Sequence, residues 1–260
     1  MKTKKIRIAI QKGGRLHDSS VELLRSCGIK VENYSNKLRT EASNFPIEVL
    51  FLRDDDIPGC VADGVADIGF VGENLLAETN ARVDVAQRLG FGKCRLSIAL
   101  PREKNYSSIQ DLSGLKIATT YTKILGDFLT AQNINADIHP ISGSVEIAPS
   151  IGLADAIFDI VSTGSTLTMN GLKEVEVVMK SEALLIANPD LSEETRAILN
   201  KIVFRIQAVQ KAKANKYILL NAPNDKLAAI CKILPGMNSP TIIPLASGDW
   251  SSLHAVVNED

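Results

Sequence analysis

Ser162 and the stretch Thr163-Gly164-Ser165-Thr166 follow directly on the apolar run Ile157-Phe-Asp-Ile-Val161. A strand that ends in hydroxyl residues around a glycine and then opens a helix can present several backbone N–H groups and hydroxyls to one anion, with the positive end of the helix behind them. Gly164 lets the backbone approach closely. No lysine stands where a G-x-x-x-x-G-K loop needs one, so this is not a Walker-type loop. Charge-assisted hydrogen bonds of about 1.5–3 kcal/mol each would still let three or four of them hold a phosphomonoester. The same residues suit a serine-rich turn with an ordinary helix cap, and loop chemistry alone leaves both readings open.

Acids stand just upstream, at Glu146 in Gly143-Ser-Val-Glu146, at Asp155 and at Asp159. A carboxylate beside a phosphate accepts from sugar hydroxyls or helps hold Mg²⁺, and either task implies a phosphorylated sugar. Capping a helix or strand is the alternative for Asp155 and Asp159. A second anion candidate is the turn Gln11-Lys-Gly-Gly-Arg-Leu16, where Gly13 and Gly14 permit close approach and Lys12 and Arg15 supply charge. Arg53 then leaves a strand just before the acids 54–56 and Ile57-Pro58. Those acids suit a helix start without any function, and Arg53 either pairs with them or faces a ligand.

The elements that must carry these turns alternate. Short β-branched runs at 6–10, 47–52, 68–71, 96–100, 116–119, 136–141, 157–162, 175–179 and 184–187 predict strands, and helical periodicity predicts helices at 18–27, 124–132 and 145–153. That alternation predicts an α/β fold with a largely parallel sheet covered on both faces. The pattern D-x-x-x-D-I-x-x-x-G occurs twice, ending at Gly72 and at Gly164. Read as a repeat, it predicts two similar lobes with a cleft between their strand ends. Residues 191–214 predict one long amphipathic helix, and 216–221, 225–234, 241–243 and 254–257 a strand, a helix and two strands.

The 260 residues carry 45% hydrophobic and 23% charged side chains, with no apolar run long enough for a bilayer. A soluble globular protein is expected, with no membrane partner. A net charge of −1 and 5% aromatic residues provide neither a basic field nor a stacking platform for nucleic acid. The four cysteines contain no C-x-x-C pair, and His17, His139 and His254 show no metal spacing, so structural or surface roles are expected for them. The N-terminus carries no signal-peptide pattern, which predicts a cytoplasmic protein. No Ser/His/Asp order or activated cysteine supports covalent catalysis.

In order along residues 6 to about 257, Gln11-Lys-Gly-Gly-Arg-Leu16, Arg53-Asp-Asp-Asp-Ile-Pro58, Asp67-Ile-Gly-Phe-Val-Gly-Glu73, Cys94-Arg-Leu-Ser97, Gly143-Ser-Val-Glu146 and the block 152–172 closely resemble the ATP phosphoribosyltransferase family, which opens histidine biosynthesis. The resemblance implies a two-lobed catalytic unit like the type II periplasmic binding proteins, with lobe I at 1–100 completed by a return segment at about 184–214, and lobe II at 101–183. It implies an α+β, ferredoxin- or ACT-like regulatory domain at 216–260, incomplete by one helix and one strand. It further implies condensation of ATP with phosphoribosyl pyrophosphate, a Mg²⁺ requirement, dimers or hexamers, and histidine as feedback inhibitor. Carried onto this sequence, Lys12, Arg15, Arg39 and Arg53 would serve the polyphosphates catalytically. Ser162, Thr163, Gly164, Ser165 and Thr166 would hold the 5-phosphate, with Glu146, Asp155 and Asp159 near the ribose. Gly14, Leu16, Glu73 and Arg95 would stand on the ATP side. The competing reading from another class is a two-lobed solute-binding protein without chemistry, which the lack of an export signal disfavours.

Overall fold

Ile6–Gln11 forms β1, and its Ile6, Ile8, Ala9 and Ile10 are all buried. A strand with parallel neighbours is covered on both faces, so its sequence runs apolar without alternation. The computed structural model describes residues 5–31 and 37–258, in two compact units, Met1–Asn200 and Lys201–Asp260. In the first unit, α1 (Arg15–Ser26), β2 (Arg39–Glu41), β3 (Ile47–Leu52), α2 (Ile57–Ala62), β4 (Ile68–Gly72), α3 (Glu73–Thr79) and β5 (Asp84–Arg88) follow. Next come β6 (Cys94–Pro101), β7 (Lys116–Thr119), α4 (Thr122–Ala131), β8 (Asp137–Pro140), β9 (Ala156–Val161), α5 (Ser165–Met169), β10 (Leu172–Ser181) and β11 (Ala183–Ala187).

Two sheets result, ordered β2-β3-β1-β4-β11-β5 and β10-β6-β9-β7-β8. In the first, β1 runs parallel to β3 and β4, and β11 is inserted antiparallel beside β4. In the second, β7 runs parallel to β8 and β9, and β6 is inserted antiparallel beside β9. The two lobes therefore share one topology, each completed by an antiparallel strand. The chain crosses between the sheets twice, between Arg88 and Cys94 and again at Glu182, so β6 belongs to the second sheet and the first crossing comes earlier than residue 100. The crossings are tied together where Leu89 N donates to Ala183 O and Ala183 N to Phe91 O, both at 2.9 Å.

Alternation along β6 divides the core of the second lobe. Leu96, Ile98 and Leu100 pack with Ile117, Phe158 and the α4 residues Leu125 and Leu129, whereas Ala99 packs on the other face with Ala118, Ile157, Val145 and Leu167. The first lobe gathers Ala9, Ile57, Val61, Val71, Leu184 and Ile186.

Two expectations need correction. The predicted helix over 145–153 is a single 3₁₀ turn at Val145–Ile147 followed by irregular turns. Pro149 lacks the amide that an α-helix would return to Val145, and Gly152 then turns at φ +73°. The sequence repeat is also out of register. Asp67 precedes β4 whereas Asp159 lies inside β9, so the structural counterpart of Asp67 is Asp155, four residues earlier. The lobes do repeat, through different residues.

Acids in the first turn of α6 (Glu193–Lys213) and lysines in its last turn complement the helix dipole. In the second unit β12 (Asn215–Pro223), α7 (Leu227–Ile233), β13 (Thr241–Pro244) and β14 (Trp250–Asn258) form a fully antiparallel sheet of order β12-β14-β13. This β-α-β-β order is α+β and ferredoxin-like. Its His254 is engaged, with Nδ1 bonded to the Tyr217 hydroxyl and Nε2 3.1 Å from Ser252 Oγ. Among the described residues no helix is long and apolar enough to cross a membrane.

Candidate functional site

β1 stops at Gln11, and its side chain organises the turn that follows. Gln11 Oε1 accepts the Leu16 amide at 3.1 Å, and Gln11 O accepts from His17 Nδ1 at 2.7 Å. Lys12, Gly13, Gly14 and Arg15 are thereby held on the surface at the carboxyl end of β1. Gly14 sits at φ +103°, a conformation that suits glycine, as the residue before α1. Lys12 N donates to Leu52 O at 2.7 Å, which brings the end of β3, and with it Arg53, beside the turn. Lys12 and Arg53 make no ion pair among the described residues. Burial and the neighbouring Asp54 push the Asp55 carboxyl up, against the pull of Arg53.

The corresponding edge of the second lobe carries the Ser162–Thr166 loop after β9. Ser162, Thr163, Ser165 and Thr166 are exposed, and Gly164, at φ +82°, precedes α5. Thr163 Oγ1 and Ser165 Oγ lie 3.0 Å apart and the Ser165 amide points at Thr163 Oγ1. Across the lobes, Arg15 Nη1 donates to Ser162 Oγ at 3.3 Å, and within the second lobe Arg95 Nη1 donates to Ser162 O at 3.0 Å. The basic turn of one lobe and the hydroxyl loop of the other thus meet. On its outer side the loop borders a cavity of about 520 Å³ that Arg95, Arg102, Lys173 and Glu174 also line.

Inside the second lobe Asp159 and Glu146 form an acidic pair. Burial, and secondarily the Glu146 charge, push the Asp159 carboxyl above its ordinary range, against the Ile160 amide and the Arg15 charge. The Tyr121 hydroxyl is pushed up as well, first by burial and then by Asp159, and Asp54 of the first lobe adds to it. Tyr121 itself reaches the first lobe, its hydroxyl accepting Asn74 Nδ2 at 3.2 Å, and so stands between the lobes. A cavity of about 710 Å³ opens between them, lined by Asp55, Glu78 and Thr79 from one side and Thr119–Thr122 and 140–143 from the other. Among the described residues no group of three or more His, Cys, Asp or Glu side chains could hold a metal by itself.

A family model described as ATP phosphoribosyltransferase matches residues 53–208, and the HisG C-terminal domain model matches residues 212–260. The chain belongs to the ATP phosphoribosyltransferase family. The ATP phosphoribosyltransferase of Cytophaga hutchinsonii is 57% identical over 254 residues, 98% of this chain and 89% of that one, and that of Bacteroides thetaiotaomicron is 55% identical over 98% and 90%. Among solved structures, the ATP phosphoribosyl transferase (HisG:HisZ) complex from Thermotoga maritima matches with a TM-score of 0.69 at 27% identity, over 80% of this chain and 99% of that one. A histidine kinase sensor domain with similarity to periplasmic binding proteins matches with a TM-score of 0.56 at 13% identity, over 82% and 93%, which shows the two-lobed fold alone. As a member of the ATP phosphoribosyltransferase family, the chain is a glycosyltransferase of the first step of histidine biosynthesis.

The other residues expected in an ATP phosphoribosyltransferase site are engaged by contacts within the fold. Asp155 lies at the amino end of β9, with the whole strand, about 20 Å at 3.3 Å per residue, between it and Ser162. There it accepts Lys104 Nζ at 2.8 Å and the Lys116 amide at 3.1 Å, and these bonds hold its carboxyl low. Arg39 is tied to Glu48 on the outermost pair of strands, opposite Leu50 near the carboxyl end of β3. The Leu16 side chain packs at Gly92, in the crossing between the lobes. Glu73 faces a cavity of about 550 Å³ at the crossings but is engaged by Arg88, whose Nη2 and Nη1 reach its two oxygens at 2.5 and 2.9 Å. Arg95 also lines that cavity, and the Glu174 carboxylate holds it at 2.5 Å while raising its guanidinium pKa.

Sequence reasoning missed Arg88, Asn74 and Tyr121. Arg88 joins Glu73 to Glu182, so one cation spans both crossings. Tyr121 precedes α4 and receives a hydrogen bond from Asn74 Nδ2 at 3.2 Å. Asn74 stands next to Glu73 in a stretch already singled out, and a polar amide following an apolar strand was the available signal.

Proposed function

We propose that the cleft between the two lobes binds phosphoribosyl pyrophosphate and ATP together and joins N1 of the adenine ring to the anomeric ribose carbon. The bond from that carbon to pyrophosphate breaks as the N1–carbon bond forms, and both electrons leave with pyrophosphate. Neutral adenine carries no proton on N1, so no general base or covalent nucleophile is required. The protein must align two polyanions, shield an oxocarbenium-like ribose and neutralise the departing pyrophosphate.

The observation that carries this reading is the 3.3 Å contact of Arg15 Nη1 with Ser162 Oγ, which joins the basic turn to the hydroxyl loop. In the proposal, Ser162, Thr163, Gly164, Ser165 and Thr166 hold the 5-phosphate, while Lys12, Arg15 and Arg53 take the pyrophosphate and triphosphate. Asp159 and Glu146 face the ribose, where a negative pair favours positive charge on the ring. Gly14 and Arg95 border the ATP side. The hard oxygens of Asp159 and Glu146 suit Mg²⁺, which would neutralise the leaving pyrophosphate with substrate phosphates supplying the other ligands. Asp155, Arg39, Leu16 and Glu73 support the scaffold in this scheme.

We further read residues up to about 214 as the catalytic unit and 216–260 as a regulatory domain responsive to histidine, in a chain that works as a dimer or hexamer. Mixing the protein with ATP, phosphoribosyl pyrophosphate and Mg²⁺ should release pyrophosphate and yield an N1-substituted adenine nucleotide. Binding of both substrates with no such product would overturn the assignment.

A further inference from the structure

Helix α4 begins at the cleft without a cap of its own. Tyr121 occupies its N-cap position, and no side chain of that residue closes the first turn. The first amides of a helix have no partner within it, so these must find one elsewhere. The partner comes from the other lobe. Glu78, in the last turn of α3, accepts the Lys123 amide on Oε1 at 2.9 Å and the Ile124 amide on Oε2 at 3.0 Å, with Thr122 Oγ1 at 3.3 Å. Asn74 stands one turn earlier on the same face of α3. Its Nδ2 donates to the Tyr121 hydroxyl, its Oδ1 accepts Ser181 Oγ at 2.9 Å, and its amide donates to Ser181 Oγ at 3.0 Å. Asn74, Ser181 and Tyr121 are buried.

One face of α3 thus caps and anchors the start of α4, and both Glu78 and Tyr121 line the 710 Å³ cavity between the lobes. We propose that Glu78, supported by Asn74, is a positioning residue that holds the lobes in the closed arrangement that binds substrate. Separating the lobes strips two amides and a hydroxyl of a charged acceptor. The apparent affinity for a ligand held between the lobes scales with the fraction of molecules that are closed. Loss of the cap, worth roughly a tenfold change in an equilibrium, therefore raises KM and leaves the turnover of the closed complex alone. This inference rests on the reading that both substrates bind in the cleft.

The test compares Glu78→Ala and Glu78→Gln with the parent, using the full chain. Without substrate, amide hydrogen exchange at Lys123 and Ile124 should accelerate and the radius of gyration from solution scattering should rise. With substrates, KM should rise about tenfold for Glu78→Ala and less for Glu78→Gln, which keeps one acceptor, while kcat stays within about twofold. Unchanged KM and radius of gyration, whatever the melting temperature does, would overturn the proposal. Should Glu78→Ala fail to fold, Glu78→Gln and Asn74→Ala carry the same comparison. The substrate-free measurements respond to the latch alone, so an inactive parent protein would overturn the functional reading and not this one.

Discussion

Asp67 and Asp155 do the same job in the two lobes. Asp67 accepts the Arg7 amide at 2.7 Å and Asp155 the Lys116 amide at 3.1 Å. Asp67 stands just before β4 and fixes the start of β1, and Asp155 stands just before β9 and fixes the start of β7. The Asp67 amide in turn donates to Arg7 O, and the Asp155 amide to Lys116 O. The repeat is thus one of backbone pinning, at the ends of the strands remote from the cleft.

It follows that Asp155→Ala should lower stability without touching substrate binding. The carboxylate is 45% exposed and its bond to Lys104 is solvent-screened, so the expected loss is about 1 kcal/mol at pH 7. Lys104 first, then the Lys116 amide, holds its pKa below the ordinary 3.8. A depressed carboxylate stabilises the fold above its unfolded pKa and ceases to as pH falls through the folded one. Thermal melts of mutant and parent should therefore converge in strong acid. A raised KM for phosphoribosyl pyrophosphate at neutral pH would show that Asp155 reaches the ribose after all.

Asp159 carries the opposite sign. Its pKa is raised, chiefly by burial, so the ionised form costs stability above the folded pKa, and the cost fades as pH falls from the folded pKa towards 3.8 and is gone below it. Asp159→Asn should raise the melting temperature at pH 7 by about 2–4 °C, with the gain vanishing in acid. The same substitution should lower kcat/KM at least about tenfold, since a costly carboxylate kept beside the cleft is there for its charge. Melts and pH–rate profiles check both halves. A destabilised, fully active mutant would contradict them together.

Much of this was written in local sequence. Apolar runs bounded by glycine placed nearly every strand, because burial on both faces leaves little room for alternation. The turns at Lys12–Arg15 and Ser162–Thr166 were legible because glycine beside hydroxyl or basic residues has few structural uses. What stayed hidden depends on distance along the chain. Whether Asp155 or Asp159 faces the cleft turns on which residue starts β9, a shift of four positions that composition does not reveal. Arg88 and Glu78 act through partners 94 and 46 residues away, and a charged residue on an amphipathic element reads as a solvated one until its partner is located.

Arg88 forks to Glu73 and to Glu182, at 2.5 Å and 2.9 Å, and these bonds raise its guanidinium pKa further. Arg88→Ala leaves two half-buried carboxylates facing each other across the crossings between lobes. The melting temperature should fall, and kcat/KM should drop by about tenfold as the lobes lose alignment. Arg88→Lys should recover only part of either, because a single ammonium nitrogen cannot reproduce the bonds that the two separate guanidinium nitrogens make to Glu73 and Glu182. Equal rescue by lysine would reduce the contact to simple charge balance.

Gly164 separates strain from binding more cleanly than any other position. A Cβ there would meet only Val161 Cγ1, at 3.9 Å, an ordinary contact, so space does not exclude alanine. The backbone does, since φ is +82°, and an L side chain held there costs about 1–2 kcal/mol. Among the described residues the side-chain bonds that tie this loop to other elements are those of Arg15 and Arg95 to Ser162, so it would relieve that cost by turning its amides away. Gly164→Ala should therefore fold with a melting temperature within a few degrees of the parent and lose at least about tenfold in affinity for phosphoribosyl pyrophosphate, with ATP binding far less affected. Calorimetric titration of each substrate reads the difference. Parallel loss of stability and of both affinities would mean that the glycine serves only the turn into α5, and the 5-phosphate would then have to be sought at another strand end.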